Sequence, residues 1–165
     1  MKTILKTITI LFITLFAFSC NKDDGGDSST PAVNDNFIRA NVDGIAYEAL
    51  GETLHGSLDE DGFDLDSRNF GTTGMDFYII GTVNEGTYNF STSNVTTQGR
   101  LNYRLSGDNF TTGFCSVSNG TLTITSINGK TIQGTFSFTG SSTSESCGSP
   151  VTKTITEGTF KVTVP

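Results

Sequence analysis

The stretch IRANVDGIAYEA, residues 38 to 49, contains two alternating runs joined by Asp43 and Gly44. Asp-Gly is a favoured pair for a two-residue type I′ turn, which connects antiparallel strands. In the register that this turn imposes, three pairs share one face: Ile38 with Ala49, Ala40 with Tyr47, and Val42 with Ile45. The other face pairs Arg39 with Glu48, a favourable cross-strand contact. The stretch therefore predicts a β-hairpin with one apolar face.

A second stretch, TLTITSINGKTIQGTFSF at residues 121 to 138, predicts another hairpin. A two-residue turn at Asn128 and Gly129 would mix apolar and polar side chains on both faces. A three-residue loop at 128 to 130 instead gives three pairings that separate them: Leu122 with Phe136, Ile124 with Gly134, and Ser126 with Ile132. We therefore predict the three-residue loop, accompanied by a β-bulge.

Alternation of this kind continues along the chain, and no segment after residue 20 has the spacing of an amphipathic helix. Ten strands are predicted, at residues 37–42, 45–50, 63–68, 75–83, 86–91, 100–106, 113–118, 120–127, 131–139 and 152–164. The pattern predicts an all-β fold, a single antiparallel β-sandwich or flattened β-barrel built as a meander of hairpins. A lipocalin-like barrel is the alternative, because strand alternation is the same around a filled core and around a cavity.

A short phrase recurs in four places: EGTYNF at 85 to 90, NGTLTI at 119 to 124, QGTFSF at 133 to 138 and EGTFKV at 157 to 162. Each copy has a glycine, a threonine and then an aromatic or aliphatic residue that opens an alternating strand. The glycine suits a bulge or a tight strand entry. The copies are too irregularly spaced for a solenoid or a propeller, so they predict several similar hairpins.

The first nineteen residues have the pattern of a signal peptide. Lys2 and Lys6 precede the uncharged segment TITILFITLFAFS, residues 7 to 19. As a helix this segment reaches only ~20 Å, whereas the hydrocarbon core of a bilayer is ~30 Å thick. Residues 1 to 19 are therefore predicted to be a lipoprotein signal peptide rather than a retained anchor.

Ala17, Ser19 and Cys20 resemble the lipobox of bacterial lipoproteins, in which the cysteine becomes the acylated first residue of the mature chain. The resemblance implies lipidation of Cys20 and attachment to a membrane through its acyl chains. The acidic segment at 22 to 27 resembles the signal that sends lipoproteins of Bacteroidota to the exterior face of the outer membrane. Residues 20 to 35 are predicted to form a flexible acidic and Ser-rich tether. An ordinary secretory peptide that leaves a free cysteine is the alternative.

The predicted mature chain is strongly acidic. Removal of residues 1 to 19 takes away two of the ten basic residues, so eight face seventeen acidic ones and the net charge is −9. Such a field repels nucleic-acid phosphates, so no nucleic-acid partner is expected. Residues 36 to 165 have the length of one ordinary domain, and they are predicted to form the β-domain.

Two cysteines lie in this predicted domain, Cys115 and Cys147. In an exported protein, two cysteines most simply form one disulfide. Two separate thiols or an intermolecular link are the alternatives. Two thiols without nearby histidines lack the four ligands of a structural zinc site.

The densest group of carboxylates lies in LDEDGFDLDS, residues 58 to 67. Carboxylates that alternate around a glycine suggest a weak candidate for a calcium site, formed by Asp59, Asp61, Asp64 and Asp66. Ser57 and Arg68 stand at the first and twelfth positions of an EF-hand loop, and a bidentate Glu is expected at the twelfth. A solvated hairpin tip is the alternative, and no other metal or cofactor is predicted.

The sequence offers little for catalysis. His55 is the only histidine, and no GxSxG segment provides a nucleophile elbow. Glycan hydrolysis needs two carboxylates held across a cleft, a condition that any chain this acidic satisfies loosely. We therefore predict that the protein is not an enzyme, and we rank a glycan hydrolase below the other functions.

The motifs taken together resemble a family of uncharacterised Bacteroidota outer-membrane lipoproteins, an all-β domain of unknown function. The resemblance rests on the lipoprotein cysteine, the VDG hairpin, the central GTY strand and the closing segments GTLTITSINGKTIQGTFSFTG and TITEGTFKVTV. It covers most of residues 37 to 164. It implies a fold but no activity and no catalytic residue.

These observations predict a surface-exposed lipoprotein whose β-domain has a binding or structural role in the cell envelope. A glycan or an envelope protein is the expected partner, recognised through strand faces or through the loops near 51 to 62 and 106 to 113. The alternative is a carrier that holds a small apolar ligand inside the β-structure.

Overall fold

The computed structural model describes residues 35 to 67 and 73 to 165 of the chain. These residues form eleven antiparallel strands, one 3₁₀ turn and one single-turn helix, which confirms the predicted all-β fold. The predictions for the signal peptide, for Cys20 and for most of the tether lie outside the described residues. No helix in the described part of the chain is long and apolar enough to cross a membrane.

The strands follow one another with short connections. Their bounds are β1 Phe37–Val42, β2 Ile45–Leu50, β3 His55–Leu58, β4 Gly62–Asp66, β5 Gly74–Ile80, β6 Gly86–Ser91, β7 Gly99–Leu105, β8 Asp108–Thr111, β9 Asn119–Asn128, β10 Thr131–Ser142 and β11 Thr152–Thr163. The 3₁₀ turn is Gly51–Thr53 and the helix α1 is Val95–Gln98.

The sheet branches at β10, which pairs with β11 along one edge. Along its other edge, residues 131 to 139 pair with β9, and Ser141 and Ser142 pair with β8. We call β2, β1, β11, β10, β9 and β6 the first wing, and β8, β7, β5, β4 and β3 the second wing. The sheet curls into a half-barrel, with the second wing packed over the first.

Aromatic rings fill the space between the wings. Phe77 of the second wing lies with its ring centroid 4.5 Å from that of Phe136 in the first. Phe63 stacks on Phe160 at 6.0 Å, and all four rings are almost wholly buried. Burial of each such side chain contributes roughly 1.5–3 kcal/mol relative to leaving it in water. These contacts hold the two wings together and leave their opposite faces toward solvent.

The first predicted hairpin is confirmed in its register. Val42 lies opposite Ile45, and the other predicted pairs follow along β1 and β2. Asp43 and Gly44 have φ angles of 49° and 82°, as a type I′ turn requires. Ile45 remains 74% exposed because it lies beside the turn on an edge strand.

The second predicted hairpin needs a correction. The turn contains two residues, Gly129 and Lys130, because Asn128 pairs with Thr131. The predicted pairs of Leu122 with Phe136 and Ile124 with Gly134 are confirmed. A bulge then shifts the register, so that Ser126 lies opposite Gln133 and Ile127 lies opposite Ile132. The bulge supplies the odd residue that the prediction had assigned to the loop.

The prediction of a strand at residues 113 to 118 was wrong. The chain forms β8 earlier, at Asp108–Thr111, after a tight turn at Ser106 and Gly107. Both turn residues have positive φ angles, 52° and 89°, although Ser-Gly is a weaker turn signal than Asp-Gly. Residues 112 to 118 instead form a loop that contains Cys115 and leads to β9. The short strand β3 and the single turn α1 were also missed.

Candidate functional site

The carboxylates of the acidic hairpin lie in two different places, in the turn itself and on the strand that follows it. The Oδ1 atom of Asp59 accepts hydrogen bonds from the backbone N–H groups of Asp61 and Gly62, at 2.9 and 3.2 Å, and so closes the β3–β4 turn. Asp64 and Asp66 lie on β4, on the outer face of the second wing. Across residues 35–67 and 73–165, no group of three or more His, Cys, Asp or Glu side chains is arranged to hold a metal ion. The geometry matches the hairpin tip that the sequence analysis gave as the alternative, with Asp64 and Asp66 on the outer face of the strand that follows.

His55 is exposed on β3, where it lies opposite Asp66. It belongs to the short edge strand of the second wing. One side of His55 therefore faces solvent, and the other side faces β4, which carries Asp66. This is an ordinary environment for a surface histidine.

Cys115 and Cys147 form a disulfide, which confirms the predicted pair. The bond joins the loop before β9 to the loop between β10 and β11. Next to it, the backbone N–H of Cys115 and the hydroxyl of Ser118 both donate to Oγ of Ser141, at 3.1 and 2.7 Å. The disulfide therefore links an exposed cysteine, Cys147, to a buried group of Cys115, Ser118 and Ser141 at this end of the sheet.

The outer face of the first wing carries a neutral ladder of hydroxyl groups. Four threonines lie in one row across four strands: Thr87, Thr123, Thr135 and Thr159. The Oγ1 atoms of Thr87 and Thr123 are 2.9 Å apart and share a hydrogen bond. A groove of about 450 Å³ lies farther along the same strands. No atom of this row is among the buried side-chain atoms that lack a hydrogen-bond partner in the described part of the chain.

The outer face of the second wing carries a different arrangement, which we call the polar cluster: Asp76, Asn102, Arg104 and Asn109. Strand alternation places these side chains on the outside, while Phe77, Leu101, Tyr103 and Phe110 from the same strands enter the core. Strand pairing places Asp76 opposite Asn102, and Arg104 opposite Asn109. The polar cluster thus spans the three adjacent strands β5, β7 and β8.

Within the polar cluster, only one strong hydrogen bond forms. The amide Nδ2 of Asn102 donates to Oδ2 of Asp76 at 2.6 Å. The Nε atom of Arg104 lies 3.5 Å from Oδ1 of Asp76, close enough for an ion pair but without a hydrogen bond. Asn102 is only 2% exposed, whereas the side chain of Arg104 is 42% exposed.

Each residue of the polar cluster keeps one buried polar atom without a hydrogen-bond partner: Oδ1 of Asp76, Oδ1 of Asn102, Nε of Arg104 and Oδ1 of Asn109. Such an atom costs roughly 1–3 kcal/mol when it is left unpaired in a folded protein. Buried polar groups are normally paired, and a group of exceptions requires an explanation. Four exceptions on neighbouring residues mark this cluster as the candidate functional site.

Asp108, next in the chain to Asn109, shows how a fully paired carboxylate behaves in this protein. Burial alone would raise the pKa of Asp108. Hydrogen bonds from the hydroxyls of Ser142 and Ser144 and from the backbone N–H of Asn109 outweigh burial and hold that pKa below its ordinary value. Across residues 35–67 and 73–165, the buried side-chain atoms without a hydrogen-bond partner all belong to the polar cluster.

Most of this site was not predicted from the sequence. Asn109 falls in the loop predicted at 106 to 113, but Asp76, Asn102 and Arg104 were not singled out. Polar residues that alternate with apolar ones are ordinary on any strand with one wet face. The order of the strands, which the sequence does not state, brings the four residues together.

Comparisons of this chain with protein-family models, with curated proteins and with solved structures found no match. The geometry of the described residues is therefore what supports a function.

Proposed function

We propose that this protein is a surface lipoprotein of the outer membrane whose β-domain binds a glycan without catalysis. Cys20 would carry the acyl chains, and residues 20 to 35 would link them to the domain, facing the cell exterior. The sequence supports this placement through the lysines and apolar run of residues 1 to 19, the lipobox resemblance at Cys20 and the acidic segment that follows it.

The single observation that supports binding is the polar cluster. Binding sites typically present a small number of fixed polar groups that orient a ligand. Asp76 and Asn102 are fixed by their mutual hydrogen bond, and strand pairing sets the positions of all four residues. A glycan, which is rich in hydroxyl groups, has the hydrogen-bonding capacity that this cluster lacks within the fold.

The packing of the interior favours binding on the surface over the carrier alternative. Phe77, Phe136 and Phe160 contact one another between the wings, with ring centroids 4.5 to 6.5 Å apart. Side chains therefore occupy the space that an internal apolar ligand would need at this point. The outer faces of the wings remain as the surfaces for recognition.

Placement can be tested in intact cells that produce the full chain. We expect the mature protein to begin at an acylated Cys20 by mass spectrometry, and external protease to degrade it in unbroken cells. A Cys20→Ala variant should lose both the acyl mass and the membrane association. An unmodified amino terminus, or full protection until the outer membrane is opened, would refute the placement.

Binding can be tested on the mature lipoprotein in detergent micelles. It should be titrated calorimetrically with neutral and acidic oligosaccharides, and in parallel cross-linked to outer-membrane proteins. Saturable binding of any oligosaccharide supports the proposal. Cross-linking to one envelope protein without glycan binding would replace the glycan with a protein partner.

A further inference from the structure

We infer that the polar cluster is a subsite for a neutral sugar, in which one sugar hydroxyl bridges Asp76 and Arg104. The inference rests on the proposed glycan binding and assigns it a place and a chemical class. It follows from the type, the charge and the exposure of the four side chains.

The pair at the centre of the polar cluster suits a hydroxyl group. Oδ1 of Asp76 is an acceptor and Nε of Arg104 is a donor, and neither has a hydrogen-bond partner although they lie 3.5 Å apart as an ion pair. A hydroxyl can donate to the first and accept from the second at the same time. An ether oxygen only accepts and an ammonium group only donates, so neither would satisfy both atoms.

The remaining unpaired atoms extend the same preference. Oδ1 of Asn102 and Oδ1 of Asn109 are both acceptors. The buried atoms that lack a hydrogen bond are therefore three acceptors and one donor, and a ligand with several hydroxyl hydrogens matches this set. Adjacent hydroxyls on one sugar ring would supply these donors from a single rigid group.

The charges of the polar cluster argue against an ion as the ligand. A metal cation would lie beside the guanidinium of Arg104, which carries a permanent positive charge. An anion would meet the carboxylate of Asp76 and the amide oxygens of Asn102 and Asn109. The formal charges of Asp76 and Arg104 cancel each other, so a neutral ligand incurs no electrostatic penalty from this pair. Asp66 lies opposite Asp76 on β4 and adds a negative charge to the same face, which further disfavours an anion.

Access to the subsite depends on Arg104. Its side chain is 42% exposed, whereas Asp76 is 17% exposed and Asn102 is 2% exposed. A long, partly exposed arginine can change rotamer at small cost, because it is held by no hydrogen bond at Nε. We expect the guanidinium to move outward and to close again over the bound hydroxyl.

The test compares Arg104→Met with Arg100→Met in the mature lipoprotein in detergent micelles. Both arginines lie on β7 with the same orientation, but Arg100 is outside the polar cluster. The probes are neutral hexose oligosaccharides, with oligosaccharides of uronic acids as the charged comparison. We expect Arg104→Met to weaken binding of the neutral probe at least tenfold, and Arg100→Met to change it less than twofold.

A second variant separates binding from folding. Asn109→Leu removes an unpaired acceptor, so it should weaken neutral-sugar binding at least threefold without lowering the melting temperature of the free protein. If neutral sugars bind the parent chain and both cluster variants bind equally well, the subsite is refuted while the proposed glycan binding stands. Binding of the acidic oligosaccharides alone, or of no oligosaccharide, also refutes the neutral-sugar subsite.

Discussion

Gly158 on β11 lies directly opposite Phe136 on β10, and the phenylalanine occupies the space that a side chain at 158 would need. A Cβ atom at 158 would come within 2.5 Å of both Cδ2 and the carbonyl oxygen of Phe136. The relationship is reciprocal, because Gly134 on β10 lies opposite Phe160 on β11. Two copies of the Gly-Thr-Phe phrase therefore pair so that each glycine accommodates the ring of the other copy.

Substitution of this glycine should destabilise the domain. Gly158 has no positive φ angle, so the cost of Gly158→Ala comes from overpacking against Phe136. We expect a loss of about 1–3 kcal/mol in the free energy of unfolding, measured by urea denaturation. Gly148→Ala is the matched control, because its Cβ would meet nothing closer than 3.9 Å, and it should change stability by less than ~0.5 kcal/mol. Equal effects of the two variants would contradict this explanation.

The recurring phrase also shows what sequence could and could not reveal. The glycines were predicted to mark bulges or strand entries, and Gly86, with a φ angle of 147°, does stand at the start of β6. Gly134 and Gly158 adjoin bulges in the β9–β10 and β10–β11 pairings, as predicted, and each also faces a ring on the neighbouring strand. That pairing joins residues far apart in sequence, and alternation alone does not specify which strands become neighbours.

The same distinction separates the predicted hairpin from the candidate site. The β1–β2 hairpin was predictable because Asp43 and Gly44 fix its register locally, and the predicted pair of Arg39 and Glu48 forms a contact of 2.6 Å. The polar cluster was not predictable, because it requires β5, β7 and β8 to lie side by side. Adjacent residues determine a turn, whereas the burial of a polar atom depends on the whole sheet.

Removal of the disulfide should lower the free energy of unfolding more than any surface substitution does. Cys115 and Cys147 are 32 residues apart, and closing a loop of this size stabilises a fold by roughly 3–4 kcal/mol in the chain-entropy model. We expect the double variant Cys115→Ala/Cys147→Ala to lose about this amount in urea denaturation. Reducing agent should destabilise the parent chain to the same level and leave the double variant unchanged. A parent chain that is insensitive to reducing agent would contradict the prediction.

A hydrogen bond between Tyr47 and Ser67 connects β2 to the second wing. Oγ of Ser67 donates to the carbonyl oxygen of Met75 at 3.0 Å, so its contact of 2.7 Å with Tyr47 uses the tyrosine O–H as the donor. Tyr47→Phe should cost about 0.5–1.5 kcal/mol of stability. Ser67→Ala should cost more, about 1–3 kcal/mol, because it also leaves the buried N–H of Met75 unpaired.

A double-mutant cycle tests whether these two residues act on each other. In the Ser67→Ala background, Tyr47→Phe should have little further effect, because the acceptor of its hydrogen bond is already absent. Fully additive losses would show that the hydroxyl of Tyr47 contributes to stability independently of Ser67.

Asp43, in the turn between β1 and β2, should also make the stability of the fold depend on pH. The hydrogen bond from Lys153, with a second from the backbone N–H of Thr154, holds the pKa of Asp43 below its ordinary value. The ionised carboxylate therefore stabilises the fold at pH values above the unfolded pKa of about 3.9, and this contribution is lost as the pH falls through the lower, folded pKa. Asp43→Asn removes the ionisable group, while Asn still tolerates the positive φ angle of the turn.

We expect the parent chain to be more stable than Asp43→Asn at pH 7, and the difference in unfolding free energy to shrink as the pH falls from about 4 toward 2. Urea denaturation of both proteins at pH 7, 5, 3 and 2 measures this difference directly. Because Lys153 is the main cause of the lowered pKa, Lys153→Met should reduce the same pH dependence while leaving the carboxylate in place. A difference between parent and Asp43→Asn that stays constant from pH 7 to 2 would mean that Asp43 acts through turn geometry alone, since a neutral carboxyl retains its place in the turn but no longer attracts the ammonium group.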